Sequence, residues 1–288
     1  MPEEVLRALY QTPTCDIHSF CQQRGHESLY FVVDPGRDST ALARLYQLGL
    51  PFEPMPLLIG TDLAALAAQG PFGFSAQTHS ELSRAAARLC SANHCGIVFA
   101  GAERDALQNH ARSLLKVNDG SGGQSMLSLG NPHLWAALAL TSETAAQRLF
   151  GPCSEVFSPV PHQLSMAPAP WYHWPAPPSR SLDPKAPLLA LPPGFVHTAQ
   201  TLQILYWVDE RYQVLGSPSL EQLPRLLGNF AALIKHGITE GRHLLKLATM
   251  AKGPDLTENA EAMSILQAHD DDFLKVEQLI HLAANHGQ

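Results

Sequence analysis

The sequence predicts an α/β lobe with a mixed sheet, followed by an all-helical lobe. Three observations carry that expectation. Short β-rich runs alternate with helices of about ten residues up to position 151. Prolines then crowd residues 152–194, and beyond Phe195 only helix signals remain.

The elements follow in order. Ser28-Leu-Tyr-Phe-Val-Val-Asp34 is a run of β-formers ended by Pro35-Gly36, which reads as a buried strand. Asp38 or Ser39 can cap a helix carrying Leu42, Leu45, Tyr46 and Leu48, stopped by Gly49 and Pro51. Met55 to Ile59 reads as extended. Thr61 or Asp62 caps a short Ala/Leu helix that stops at Gly70-Pro71. Phe72 to Ala76 is extended again, and Thr78-x-x-Glu81 has the pattern of a capping box before a helix from Leu82 to Cys90.

Cys95-Gly-Ile-Val-Phe-Ala100 supplies the next strand. In the helix from Ala102 to Leu115, Leu107, Ala111, Leu114 and Leu115 recur at helical spacing and give one apolar face. Asp119-Gly120 signals a hairpin between Val117 and the alternating Ser125-Met-Leu-Ser-Leu129, which implies at least one antiparallel pair. Asn131 as cap, with Pro132 at the first helical position, opens a helix through Leu140.

From Pro152 to Gly194 twelve of 43 residues are proline, a density that argues against a long helix or a central strand and suggests a draped segment or semi-rigid linker. Trp171, Tyr172 and Trp174 lie inside it, and three large aromatics in four residues are expected to dock on a neighbouring lobe. Helices are then expected over 198–214, 219–235, 239–250, 259–268 and 271–284, with Gly216-Ser-Pro218, Gly237 and Gly253-Pro254 as stops. The expected domains are therefore 1–151, 152–194 as linker, and 195–288.

Composition narrows the function. A chain of 288 residues with 45% hydrophobic residues is globular, not disordered. Lys and Arg number 19 against 26 Asp and Glu, a net charge of −7, and no basic run occurs, so a nucleic-acid partner is not expected. The acidic start Met1-Pro-Glu-Glu lacks the pattern of a signal peptide. The longest apolar stretch, Leu134 to Leu140, falls far short of the roughly 20 residues of a membrane span. A soluble, unexported chain is expected. The five cysteines show no C-x-x-C and read as reduced, packed thiols.

The search for chemistry returns little. Fourteen histidines invite a metal, but no H-E-x-x-H exists, and the groupings His18/His26, His94 with Cys95, and His162/His173 read as surface or packed residues. Ser75 and Ser125 each stand two residues after a glycine, in Gly73-Phe-Ser75-Ala and Gly123-Gln-Ser125-Met, but complete no G-x-S-x-G. Cys95 could be a nucleophile beside His94, yet its place at the start of an apolar strand predicts burial. Gly120-Ser-Gly-Gly123 lacks the Lys and helix of a phosphate loop and reads as a hairpin tip. Asp270-Asp-Asp272 fits a helix N-terminus favoured by the dipole better than a cation site. No catalytic residue, metal or cofactor is expected.

Residues 29–160 resemble the type VI secretion effector chaperones, or adaptors, of the class called domain of unknown function 4123. The resemblance is carried by Leu29-Tyr-Phe-Val-Val-Asp34, the Leu-rich Leu42 to Leu48, and Gly70-Pro-Phe-Gly-Phe-Ser75. It continues through Gly96-Ile-Val-Phe99, His110-Ala-Arg-Ser-Leu-Leu-Lys-Val117, Asp119-Gly120, Asn131-Pro-His-Leu-Trp135 and Leu149-Phe-Gly-Pro152. The chain departs from the family at Asn131-Pro132-His133, where Asp-Pro-Arg is usual, and at Ser128-Leu129, where an Arg-aromatic pair is usual. The helical tail with Gly237-Ile-Thr-Glu240 also looks like that of these proteins. The resemblance implies a binding protein of the bacterial cytoplasm that holds a cognate toxic effector and loads it onto the VgrG spike. Trp171, Tyr172 and Trp174 would then brace the lobes or anchor the partner. Two other readings stand beside it: an α/β hydrolase-like enzyme with a dispersed Ser or Cys nucleophile, and a scaffold that binds only itself.

Overall fold

A computed structural model describes residues 2–142, 146–162, 170–178 and 188–286. Its elements in chain order begin with α1 (Pro2–Gln11), β1 (Thr14–Cys15), α2 (Ile17–Gln23), β2 (Ser28–Val33), α3 (Ala41–Tyr46), β3 (Met55–Pro56), β4 (Phe72–Gln77), α4 (Glu81–Asn93) and β5 (Gly96–Ala100). There follow α5 (Arg104–Leu114), β6 (Lys116–Asn118), β7 (Gln124–Met126), α6 (Pro132–Thr141), α7 (Ala146–Phe150), β8 (Glu155–Pro159), β9 (Trp171–Pro175) and β10 (Leu189–Ala190). The rest is helical: α8 (Phe195–Asp209), α9 (Tyr212–Leu215), α10 (Leu223–Lys235), α11 (Gly241–Lys246), α12 (Ala248–Lys252), α13 (Ala260–Gln267) and α14 (Asp272–His286). By contacts the chain divides into two compact units, Ala8–Ala199, and Gln200–Gln288 together with Met1–Arg7.

The α/β class expected for the first lobe and the helical class expected for the last are both present. In Ala8–Ala199 a seven-stranded sheet runs β1-β9-β8-β5-β2-β4-β3, antiparallel at every pairing. The expected mixing of directions occurs in a separate three-stranded sheet, β10-β6-β7, where β10 lies parallel to β6 and the hairpin pair β6/β7 is antiparallel.

Both faces of the large sheet are covered, which is why its inner strands read as unbroken apolar runs and not as alternations. One face presents Phe31, Val33, Phe74, Val98, Phe157 and Trp171 to α4, with Ile17 and Cys21 of α2 and Ala41 and Leu45 of α3 in the same core. The other face carries Tyr30, Val32, Ile97 and Phe99. There Phe99 lies 5.6 Å from Trp135 of α6, and Trp135 meets Phe150 of α7 edge-on at 5.8 Å. Gly73 of β4 is a requirement of this face: a Cβ there would come within 2.1 Å of the Tyr30 hydroxyl.

The proline-rich segment differs most from expectation. Its proline density argues against a central strand, yet β8 lies between β5 and β9 in the large sheet. The prolines permit this because they sit at strand ends. Pro159 is the last residue of β8 and falls beyond the β5 register, which stops at Phe157, and Pro175 closes β9. Segment 152–194 is thus part of the α/β unit over these strands.

Several caps also differ from expectation, and α3 begins with Thr40 at its N-cap instead of Asp38 or Ser39. Ser80, not Thr78, caps α4 by accepting from the Ser83 N–H at 3.1 Å, while the Thr78 hydroxyl donates to the His26 carbonyl at 2.6 Å. Asn131 stands at the N-cap of α6 but its side chain makes no cap hydrogen bond. The short Ala/Leu helix after Thr61 is only a 3-10 turn, Ala64–Leu66.

In the helical unit, Ser219 and Gln222 bond reciprocally just before α10, Ser219 N–H to Gln222 Oε1 at 3.2 Å and Gln222 N–H to Ser219 Oγ at 3.3 Å. Buried Asn229 of α10 is fully engaged. Its amide donates to the carbonyls of Ala251 at 2.9 Å and Pro254 at 3.0 Å, and its oxygen accepts from Leu256 N–H at 2.9 Å. That side chain fastens α10 to α12 and the turn after it.

Candidate functional site

Trp171, Tyr172 and Trp174 all lie on β9, with 1%, 2% and 7% of their surface exposed. Strand alternation separates them. Trp171 joins the α4-side core, whereas Tyr172 and Trp174 point to the opposite face with their rings 5.8 Å apart. The indole N–H of Trp174 donates to Ser158 Oγ at 2.9 Å across the strand pair, so the polar edge of the ring is used inside the sheet.

Between Trp171 and Trp174 sits His173, a packed histidine whose carboxylate partner has no signal in the sequence. His173 Nε2 pairs with Glu155 Oε2 of β8, and the His173 ring lies 4.3 Å from Phe20 and stacks on Phe157 at 5.6 Å. The two residues are 18 apart, and only the β8/β9 register, Phe157 opposite His173 and Glu155 opposite Pro175, brings them together. Near them are two thiols. Burial pushes Cys15 up to about 12, with the charges of Asp16 and Glu155 adding to it. Cys21 is also pushed up to about 12, by burial first and then by Cys15, Glu155 and Asp16. A thiol held so far above its ordinary value is almost wholly protonated near neutral pH and is a poor nucleophile.

The other sequence candidates fall in plain structural positions. Cys95 is buried immediately before β5, and its Sγ lies 3.8 Å from the Leu89 carbonyl. His162 pairs not with His173 but with His94, ring centroids 5.4 Å apart. His18 Nδ1 meets the Thr78 carbonyl at 2.9 Å. Ser75 is in β4 and Ser125 in β7. The Gly120–Gly123 cluster forms the hairpin tip, where the Asp119 carboxylate accepts from the Ser121 N–H at 2.9 Å, the Ser121 hydroxyl at 2.6 Å and the Gly123 N–H at 3.2 Å. These bonds hold Asp119 below the ordinary carboxylate range. Asp272 begins α14, with Asp271 accepting from the Phe273 N–H at 3.4 Å.

Asp34, at the end of β2, is a buried carboxylate with a different balance. Burial raises its pKa, against the Gly36 N–H at 2.8 Å, the charge of Arg37 and the hydroxyl of Ser128. Gly130 packs directly on this point: a Cβ there would stand 2.9 Å from the Asp34 amide nitrogen.

Open concave surface is found on the helical unit. A cavity of about 250 Å³ is walled by Ile204, Trp207, Phe230, Ile234 and Leu244, with Phe230 edge-on to Trp207 at 5.3 Å. The Arg211 guanidinium lies 4.6 Å over the Trp207 ring. A second, of about 380 Å³, lies along Met250, Pro254, Leu256 and Asn259. A third, of about 220 Å³, lies beside Leu215, Pro218 and Lys252. Two of these volumes fall below, and the third lies in the lower part of, the roughly 300–1,000 Å³ typical of small-molecule sites. Such hollows suit single side chains of a macromolecule. The described residues include no helix long and apolar enough to cross a membrane.

No curated protein and no solved structure matches this chain. Residues 29–149, from β2 into α7, match the family model described as Domain of unknown function (DUF4123).

Proposed function

We propose that this chain is a type VI secretion adaptor, which binds a cognate toxic effector in the bacterial cytoplasm and loads it onto the VgrG spike without catalysis of its own. The observation that carries the reading is the family match over residues 29–149, which lies within the 29–160 stretch that resembles the effector adaptors. Two physical features support it. Cys15 and Cys21 are pushed up to about 12 and Cys90, Cys95 and Cys153 are buried, which disfavours a thiol nucleophile. The concavities of the helical unit are small and partly apolar, as expected of a surface that takes side chains of a protein partner.

On this reading Trp171, Tyr172 and Trp174 stiffen the sheet and contribute no contact to the partner. The test is coexpression with the effector and spike proteins encoded beside it. Size-exclusion chromatography is expected to give a stable complex of defined stoichiometry. Separate elution of this chain from both would contradict the proposal.

A further inference from the structure

We propose that His94 and His162 together hold a divalent transition-metal ion at one end of the large sheet. The inference is independent of the adaptor reading. It starts from a backbone conformation. Among the described residues His94 (φ 47°, ψ 42°) is the one residue other than glycine with positive φ. It stands where α4 ends, at the left-handed position that glycine, or less often asparagine, ordinarily fills. The His94 N–H donates to the Cys90 carbonyl, as does the Cys95 N–H at 3.3 Å, and the Cys95 carbonyl accepts from the Asp34 N–H at 2.8 Å. Main-chain atoms make all these bonds, so the turn does not call for an imidazole, and glycine would form it with less strain. Residues held in sparsely populated backbone regions cluster at ligand sites. This one is a metal-ligating type, 1% exposed.

Sheet register brings up the second ligand. β5 and β8 are antiparallel neighbours, with Val98 opposite Phe157 and Phe99 opposite Val156. Continued outward from Val98, that register sets His94 opposite Pro161, with His162 next in the chain. The rings stand 5.4 Å apart at 40°, and their ligand nitrogens lie within 4.8 Å of one another. Two imidazoles on one tetrahedral ion, with Zn–N distances of about 2.0–2.1 Å, hold their ring centres roughly 5 Å apart. The observed separation therefore admits a shared ion after a small rotation of either ring.

The donor type selects the class of ion. Imidazole suits Zn²⁺, Ni²⁺ and Cu²⁺, whereas Mg²⁺ and Ca²⁺ prefer oxygen ligands. His94 is fixed between the end of α4 and the start of β5, which pre-organises one ligand. His162 is exposed, so the ion enters from its side and water fills coordination positions that the two rings leave open. Such a site exchanges its ion readily, unlike a closed structural site with four protein ligands.

The test is calorimetric titration of the full chain, carrying no histidine tag, with Zn²⁺ alone. One Zn²⁺ per chain is expected to bind in a step distinct from weaker uptake by the other histidines. His162→Ala alters an exposed side chain and is expected to weaken that step at least tenfold. His94→Gly keeps the left-handed turn, which glycine adopts freely, and is expected to weaken it at least tenfold with an unchanged far-ultraviolet spectrum. His281→Ala, on the exposed side of α14, is expected to bind as the unaltered chain does. Absence of a one-to-one step, or a step whose affinity survives either His94→Gly or His162→Ala, would overturn the proposal and leave the two rings as a packed pair.

Discussion

Trp171→Ala lowers the unfolding free energy of the α/β unit by about 3–5 kcal/mol, the cost of deleting a large aromatic from a packed interior. Trp171 is 1% exposed and belongs to the same core as Phe31, Phe74, Val98 and Phe157. The cavity left behind opens between β9 and the α4 side of the sheet, where strands paired on both sides restrict collapse. The effect should appear as a lowered urea midpoint in circular dichroism, with the helical unit read separately because the two units need not unfold in one step. A change below about 1 kcal/mol would mean that residues 152–194 behave as the peripheral linker their composition suggests.

The second large effect is a loss of stability on acidification carried by His110 of α5. Its Nε2 donates to the Leu149 carbonyl at 2.9 Å, and burial pushes its pKa from 6.5 down to about 4, with the Arg148 charge acting in the same direction and the Leu149 carbonyl against it. The left-handed Gly151 (φ 50°) closes the site, since a Cβ there would come within 2.4 Å of the ring. The folded-state pKa is depressed, so the contribution is complete above 6.5 and is lost as pH falls toward 4, where the unfolded chain binds a proton that the folded chain does not. The shift corresponds to about 3 kcal/mol. His110→Gln keeps a donor for Leu149 and is expected to be less stable at pH 7, by about 1–2 kcal/mol for imperfect packing. Its stability should then vary less with pH, so that it converges on the wild type between pH 6.5 and 4. Parallel curves for the two proteins would show that His110 does not titrate as its burial requires.

The parts of the fold legible in the sequence are those determined by local chemistry. The strands at Leu29 and Ile97 announce themselves by apolar runs, and α6 by Asn131-Pro132. The helical character beyond Phe195 follows from its Gly and Pro stops, but the expected helices 198–214 and 239–250 are each divided, into α8 and α9 and into α11 and α12. What was hidden depends on partners distant in sequence. The Thr78 hydroxyl is drawn away from its helix by the His26 carbonyl, leaving the cap to Ser80. Strands β8 and β9 were masked by a proline count that ignores position, although Pro159 and Pro175 both end strands. Glu155, His173 and Asn229 carry no local signature, and only strand register or helix packing joins them to their partners. The aromatic cluster was legible as buried but not as a strand. Its alternation, Trp171 to one face and Tyr172 and Trp174 to the other, was the available signal.

The adaptor account is tested most directly by export. In the organism that encodes this chain, its deletion is expected to remove the cognate effector from the culture medium while the VgrG spike is still secreted, and restoring the gene should restore export of the effector. Undiminished secretion of that effector from the deletion strain would contradict the account.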